Sequence, residues 1–287
     1  MSVVIGENYR QNFDVYEPET IKQRVTSLQK GNAKLQDQEL KSLLSEFIYA
    51  LEKGDVRAAE RAQGEWKSNR WVKQGILSLF KHCENSRQGE NRDSNDVLPT
   101  RSIENFVEKG ARKTPGATMR AGNFVGEGCT VMSQAYVNIG VYLGDGSMVD
   151  SNVTVGSCAQ IGRNCHIGAN TLVGGVLEPV EDNPVVIEDG VSIGGGSKVT
   201  SGFEIGENVE VAENTLLTPR IDIYDLKKNE VIRGRVPSDR RVFQRYVQSS
   251  VSDHKLFEDK DLNAQKPIAV AMSKEKDKAE IEEELRM

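Results

Sequence analysis

A parallel β-helix built from hexapeptide repeats is what this chain of 287 residues predicts, and two observations predict it. The first is a period of six. Val125, Val131, Val137, Leu143, Val149, Val155, Ile161, Ile167 and Val173 fall in strict register, and after one interruption Ile187, Ile193, Val199, Ile205, Val211, Leu217 and Ile223 resume it. The second is a set of small residues in the same register. The residue four places after the aliphatic is usually small or β-branched, as at Cys129, Ala135, Ser147, Ala159, Thr171, Ser197 and Thr215, and glycine often follows the aliphatic directly, as at Gly126, Gly144, Gly156, Gly162, Gly168, Gly174, Gly194 and Gly206. A helix with one buried face repeats near 3.6 residues and a half-buried strand near 2, so neither accounts for six. A hexad can instead form one flat face and one corner, and three of them close a triangular coil of about 18 residues with the aliphatic inward. Such coils stack at the ordinary strand spacing of about 4.8 Å and align their aliphatics in columns. Glycine after the aliphatic is expected to relieve crowding or to permit positive φ where the chain turns.

Ahead of the repeat, the pattern from Thr20 to about Cys83 is helical. Leu40, Leu43, Leu44, Phe47, Ile48 and Leu51 have the spacing of one buried helical face, and Gly54 is placed to end that helix. Trp71, Val72, Ile76, Leu77 and Phe80 predict a second helix with Ser68 or Asn69 as its cap; core packing explains these aromatics better than ligand stacking. Polar residues 84–96 read as a surface linker, giving an N-terminal helical domain over residues 1–97 and a β-helix over 98–223. Between Val173 and Ile187 the register is lost by two hexads plus two residues. The prolines and acidic groups of Leu177 to Pro184 cannot continue a coil, so the segment must loop outward, where binding residues tend to gather. Beyond Ile223 a hairpin turning at Lys227-Lys228-Asn229 leads to Val231 and Ile232. The chain is then polar through Asn263, carries a strand-like Pro267 to Met272, and ends in a charged helix with Ser273 as N-cap. Residues 224–287 thus form a small α/β cap.

Composition narrows the function. A net charge of −6 offers no basic footprint for nucleic acid. With neither a run of 18 apolar residues nor a signal-peptide pattern at the start, a cytoplasmic protein is expected. Cys83, Cys129, Cys158 and Cys165 show no metal-ligand spacing and read as reduced, structural thiols; no metal site is expected. Two side chains in the repeat could act as a base. His166 is the only one of three histidines inside the coils, and Asp150 follows Val149 in a slot usually given to glycine. Each has a plain alternative, a solvated histidine or an aspartate bonding corner N–H groups.

The strings Tyr136-Val137-Asn138-Ile139-Gly140, Gly146-Ser147-Met148-Val149-Asp150, Val155-Gly156-Ser157-Cys158-Ala159-Gln160-Ile161-Gly162 and Gly174-Gly175-Val176-Leu177-Glu178-Pro179, with Gly64-Glu65-Trp66, Arg70-Trp71 and Gly234-Arg235-Val236-Pro237 outside the repeat, closely resemble the tetrahydrodipicolinate N-succinyltransferase family. The resemblance covers roughly Gly64 to Pro237. The hexad pattern by itself resembles left-handed β-helix acyltransferases, which implies a left-handed coil, a homotrimer and acyl-CoA sites between subunits. The family resemblance implies transfer of succinyl from succinyl-CoA, as co-substrate, to the amine of ring-opened tetrahydrodipicolinate in lysine and diaminopimelate biosynthesis. By position it puts the family's substrate-binding arginine on Arg112 and its substrate-binding aspartate on Asp150, which favours Asp150 over His166 as the catalytic group. The chemistry agrees: a guanidinium grips a carboxylate bidentately, and a carboxylate can take the amine proton as the C–N bond forms.

One departure stands out. Where members of the family carry a glutamate in an Arg-Ser-Glu-Val-like string, this chain reads Gly196-Ser197-Lys198-Val199. A cation replaces a carboxylate, so Lys198 could contact an acyl carboxylate or a CoA phosphate, or it could project to solvent beside the groove. Arg233 and Arg235 are further candidates for the CoA phosphates, with ordinary surface arginines as the alternative, and a backbone N–H near Ser157 or Gly175 is the candidate oxyanion donor. Two other readings stay open: a related acyltransferase with another acyl-CoA or amino-acid acceptor, and a non-catalytic β-helix scaffold.

Overall fold

The computed structural model describes residues 2–6, 9–10, 13, 16–31, 35–88, 94–101, 103, 106–177, 181–249, 255 and 264–274. Its centre is a left-handed parallel β-helix. Two-residue strands pair in parallel with their counterparts one coil on, and stack into three faces. On the first face Val125, Leu143, Ile161, Ile187, Ile205 and Val236 are successive partners. The second stacks Val131, Val149, Ile167, Ile193, Val211 and Val242, and the third stacks Met119, Val137, Val155, Val173, Val199 and Leu217. All sixteen aliphatics of the sequence register are buried, none more than 4% exposed. The coil also reaches beyond that register, upstream to Arg112–Lys113 and Thr118–Met119 and downstream to Arg235–Val236 and Arg240–Gln248.

Of the two roles expected for glycine after the aliphatic, relief of crowding is the one the structure shows. Positive φ falls three residues after the aliphatic, at Gly128, Gln134, Gly140, Gly146, Asn152, Cys158, Asn164 and Asn170, because the chain turns there. Glycine directly after the aliphatic answers a clearance problem. A Cβ at Gly144 would lie 2.6 Å from the carbonyl carbon of Gly162 one coil away, and one at Gly168 would lie 2.5 Å from the Ile193 oxygen.

The interruption also resolves differently. Val173 on the third face is followed directly by Ile187 on the first, so the excess is one eight-residue insertion beyond a single hexad. Within it Glu178, Pro179 and Val180 lie outside the described residues. Asp182 and Glu181 accept hydrogen bonds through their backbone oxygens from Ser68 (2.8 Å) and Lys73 (2.5 Å). The described part of the loop therefore ties down the helical region.

That region comprises α1 (Pro18–Gln29), α2 (Asp37–Lys53) and α3 (Arg70–His82). Gly54 ends α2 in the left-handed conformation as expected. Asn69 precedes α3, but its side chain bonds the Arg57 carbonyl at 2.8 Å and leaves the helix N-terminus uncapped. A continuous helical pattern to Cys83 is not what the chain adopts: Ala59–Ala62 and Glu65–Ser68 form an antiparallel hairpin. Gln63 and Gly64 at its turn both have positive φ, the type I′ combination that suits a two-residue connection. The linker read at residues 84–96 contains a short ribbon, Ser86–Gln88 against Ser94–Asp96.

The helices share a core with the coil corner between the third and first faces, where Ala121, Ile139, Cys158 and Val176 are buried among α2 and α3 side chains. The hairpin lies over the first face, with the Arg57 guanidinium 3.6 Å from the Tyr142 ring centre and Trp66 Nε1 donating to Glu188 at 2.7 Å. Among the described residues, Arg112, His166 and Ser192 on the second face are exposed.

At the C-terminal end the expected hairpin forms, pairing Ile223 with Ile232. The segment expected to be irregular and polar holds a nine-residue strand, Arg240–Gln248, antiparallel to Gln265–Ser273. Its charges hid it: Arg240 is buried because Asp225, itself buried, accepts from it at 2.9 Å. Ser273 ends the second strand, and the charged segment from residue 275, read as a helix, lies outside the described residues. No helix among the described residues is long and apolar enough to cross a membrane.

Clearance between coils yields a direct test. Gly144→Ala should lower stability by about 1–3 kcal/mol, the cost of overpacking a closed interior, measured as a reduced urea midpoint.

Candidate active site

Strands have a period of two, so residues on either side of an inward aliphatic point out. On the second face this makes one outer column of Arg112, Thr130, Met148, His166, Ser192, Glu210 and Arg241. Asp150, Gly168 and Gly194 lie in the adjoining outer column. Arg112 and Asp150 therefore share one open face, two strand spacings or about 10 Å apart along the axis. Arg112 is exposed and has no ion-pair partner among the described residues. Asp150 Oδ1 accepts the Ser151 N–H at 2.6 Å, the corner-supporting bond expected of an aspartate at a turn. Its Oδ2 lies 3.6 Å from His166 Nε2, with Asp150 27% and His166 50% exposed. The two candidate bases, weighed as alternatives in the sequence, are neighbours. The pair of glycines beside Asp150 leaves the wall there bare.

The three cations considered for CoA do not meet. Lys198 is exposed on the third face, between Leu172 and Leu216. Arg233 holds Asp222 at 2.6 Å. Arg235 sits on the first face beside Glu204, whose carboxyl is pushed up by burial against the lowering charge of Arg235. Two cations that sequence reasoning missed lie on the same face as Asp150: Arg241 and Lys274 both reach Glu210, at 2.6 and 3.0 Å. Burial alone would raise the Glu210 carboxyl, but those two hydrogen bonds outweigh it and hold it below the usual range. A cavity of about 330 Å³ opens there, lined by Ser192, Gly194, Glu210, Arg241 and Phe243. A signal existed, since Val236 and Val242 are six apart and Arg241 precedes its aliphatic as His166 precedes Ile167. Ser157 and Gly175, the candidate oxyanion donors, line a separate cavity of about 410 Å³ between α3 and the third face. Among the described residues no cluster of three His, Cys, Asp or Glu side chains is arranged to hold a metal.

Coil and repeat define a hexapeptide transferase: the model "Bacterial transferase hexapeptide (six repeats)" matches residues 140–175, and "Hexapeptide repeat of succinyl-transferase" matches 184–219. The helical region matches "Tetrahydrodipicolinate N-succinyltransferase N-terminal" over 18–81. Curated relatives named 2,3,4,5-tetrahydropyridine-2,6-dicarboxylate N-succinyltransferase include one from Psychrobacter arcticus, 37% identical over 83% of this chain and 89% of its own. Another, from Chromobacterium violaceum, is 39% identical over 76% of this chain and 82% of its own. This chain belongs to the tetrahydrodipicolinate N-succinyltransferase family.

The thiols are poor candidates for a covalent intermediate. All four are free and buried. Burial pushes Cys158 up to about 12, Cys83 and Cys165 up to about 11, and Cys129 upward, so the nucleophilic thiolate is scarce at neutral pH. Native protein treated with iodoacetamide at pH 8 should show no alkylated cysteine by mass spectrometry, and the unfolded chain should show four.

Proposed function

We propose that this protein transfers a succinyl group from succinyl-CoA to the amine of ring-opened tetrahydrodipicolinate, in lysine and diaminopimelate biosynthesis. The observation that carries the reading is the placement of Arg112 and Asp150 on one face, about two strand spacings apart. A seven-carbon diacid amine suits that span. The Arg112 fork grips a carboxylate bidentately, while Asp150 Oδ2 accepts from the amine and removes its proton as nitrogen attacks the thioester carbonyl. A thiolate leaves readily, so no acyl-enzyme is needed. The names of the curated relatives support the same donor and acceptor.

In this reading the active unit is a homotrimer, and the open second face gains its other wall from a neighbouring subunit. The third face carries Lys198 and the cavity beside Ser157 and Gly175, and is the wall best suited to an anionic acyl donor. Lys198 would then neutralise the succinyl carboxylate or a CoA phosphate, and a backbone N–H near Ser157 or Gly175 would face the oxyanion. Arg241 and Lys274, toward the C-terminal end of the second face, are further candidate phosphate contacts in addition to Arg233 and, on the first face, Arg235. The substrates are water-soluble metabolites, and the cytoplasm is the compartment this reading assigns. Lys198 also favours one competing reading, a sibling transferase with a different acyl donor or acceptor.

Thiol release, followed with succinyl-CoA and acetyl-CoA, each with and without tetrahydrodipicolinate, separates these. Release only with succinyl-CoA plus tetrahydrodipicolinate is expected; release only with acetyl-CoA or another acceptor would overturn the assignment. Asp150→Asn should lower kcat by about 10²- to 10⁴-fold, the range of a general base, with the oligomer intact by sedimentation. Arg112→Lys should raise KM for the acceptor by about 10- to 100-fold, the worth of a charged hydrogen bond.

A further inference from the structure

We propose that His166 is a positioning residue that acts through Asp150: its neutral imidazole, with the Nε2 lone pair toward Oδ2, receives the proton that the carboxylate takes from the acceptor amine. This rests on the role given to Asp150 above. Asp150 has two oxygens, and Oδ1 is committed to the Ser151 N–H at 2.6 Å. Only Oδ2 remains, and His166 Nε2 stands 3.6 Å from it. That is beyond an ordinary hydrogen bond of about 2.7–3.2 Å, and a small rotation of the half-exposed imidazole closes the gap. The coil builds the pair. Val149 and Ile167 are stacked partners, so the residue after one and the residue before the other are diagonal neighbours on the outer surface.

The proton account follows. The amine nitrogen bonds to the thioester carbonyl carbon, and the C–S bond breaks as the tetrahedral intermediate collapses. The proton shed by nitrogen passes to Asp150 Oδ2, then to His166 Nε2, and from the imidazole to solvent; the departing thiolate is protonated by solvent. Imidazole is the side-chain class that changes charge between pH 5 and 8. Its neutral form has the Nε2 lone pair that receives the proton. The strands flanking His166 present Met148 and Ser192, neither of which titrates there. Two strands away on one side is Glu210, held by Arg241 and Lys274, and three strands away on the other is Arg112. On the same coil Arg163 is tied to Asp189 at 3.0 Å. Asp150 is thus the charged group that His166 meets directly.

The test is the steady-state kinetics at pH 7 of the full-length wild type, His166→Asn and His166→Gln, with succinyl-CoA and tetrahydrodipicolinate. Both variants should lose roughly tenfold in kcat, less than a direct general base contributes, and KM for each substrate should change little. The double variant Asp150→Asn/His166→Asn should be no slower than Asp150→Asn alone, because His166 acts through that carboxylate. An unchanged kcat, a multiplicative loss in the double variant, or loss of fold by circular dichroism in both single variants would overturn the role. A wild type that turns over neither substrate overturns this role together with the succinyltransferase reading; an active wild type with insensitive variants overturns this role alone.

Discussion

Parallel stacking of coils at one strand spacing is the constraint on which the rest of this molecule depends. At about 4.8 Å per coil there is room inside for one aliphatic per face and little at the corners. The residues four after the aliphatic answer to that spacing as closely as the glycines do. Ser147 donates to the Gly162 carbonyl at 2.8 Å and accepts the Cys165 N–H at 2.9 Å, and Ser197 likewise joins the Ala212 carbonyl at 3.0 Å and the Thr215 N–H at 3.2 Å. Cys129 and Cys165 donate to carbonyls in the next coil at 3.1 and 3.0 Å. Small hydroxyls and thiols stitch corners whose backbone groups would otherwise be buried without partners. The elevated thiol pKa values come from the same dry corners.

The helical region is fastened to this column by a buried carboxylate. Glu52, near the end of α2 and 4% exposed, accepts from the Tyr9 hydroxyl, from Arg10 at 2.8 Å and from the Gly122 N–H at 3.0 Å, and pairs with Arg101 at 2.8 Å. Burial raises the Tyr9 hydroxyl above its usual range, and the Glu52 charge adds to the rise. A buried ion pair adds little net stability but is costly to break, because each partner would be left charged and unpaired. The cluster therefore fixes where α2 and the N-terminal segment sit on the coil more than how firmly. The consequence reaches the site: with the helices on one corner and the hairpin over the first face, Arg112, His166 and Ser192 on the second face stay exposed among the described residues.

What was legible in the sequence is what repeats. Fifteen of the sixteen aliphatics in register take their places on the three stacked faces, because a stacking geometry imposes one demand at every turn; Ile223 is buried but pairs in the C-terminal hairpin instead. The Gln63-Gly64 turn escaped because glutamine is not a usual type I′ residue, and the Arg240–Gln248 strand escaped because its buried arginine reads as a surface charge until Asp225 is placed opposite. Of the two roles expected for the glycines after the aliphatic, clearance holds and positive φ falls elsewhere. Asparagine occupies many of the true turn positions, and a clearance requirement cannot be told from a conformational one in a string of letters. For the candidate site, the face shared by Arg112 and Asp150 follows from counting hexads. The juxtaposition of Asp150 with His166 follows from the same count, since Val149 and Ile167 are three hexads apart, but the 3.6 Å approach of the carboxylate to the imidazole does not.

The geometry also bears on the exchange of charge at Lys198. Asp150 lies on the second face and Lys198 on the third, and the two faces of a triangular prism look away from each other. Within one chain, then, the lysine cannot serve the same reacting centre as the aspartate; only a second copy could bring such a group there. Under the proposed reading, amine deprotonation therefore falls to the second face, where Asp150 has one committed oxygen and one turned toward His166. A cation at position 198 would attract an anionic acyl donor brought by a second copy, since opposite charges a few ångströms apart interact more strongly away from bulk water.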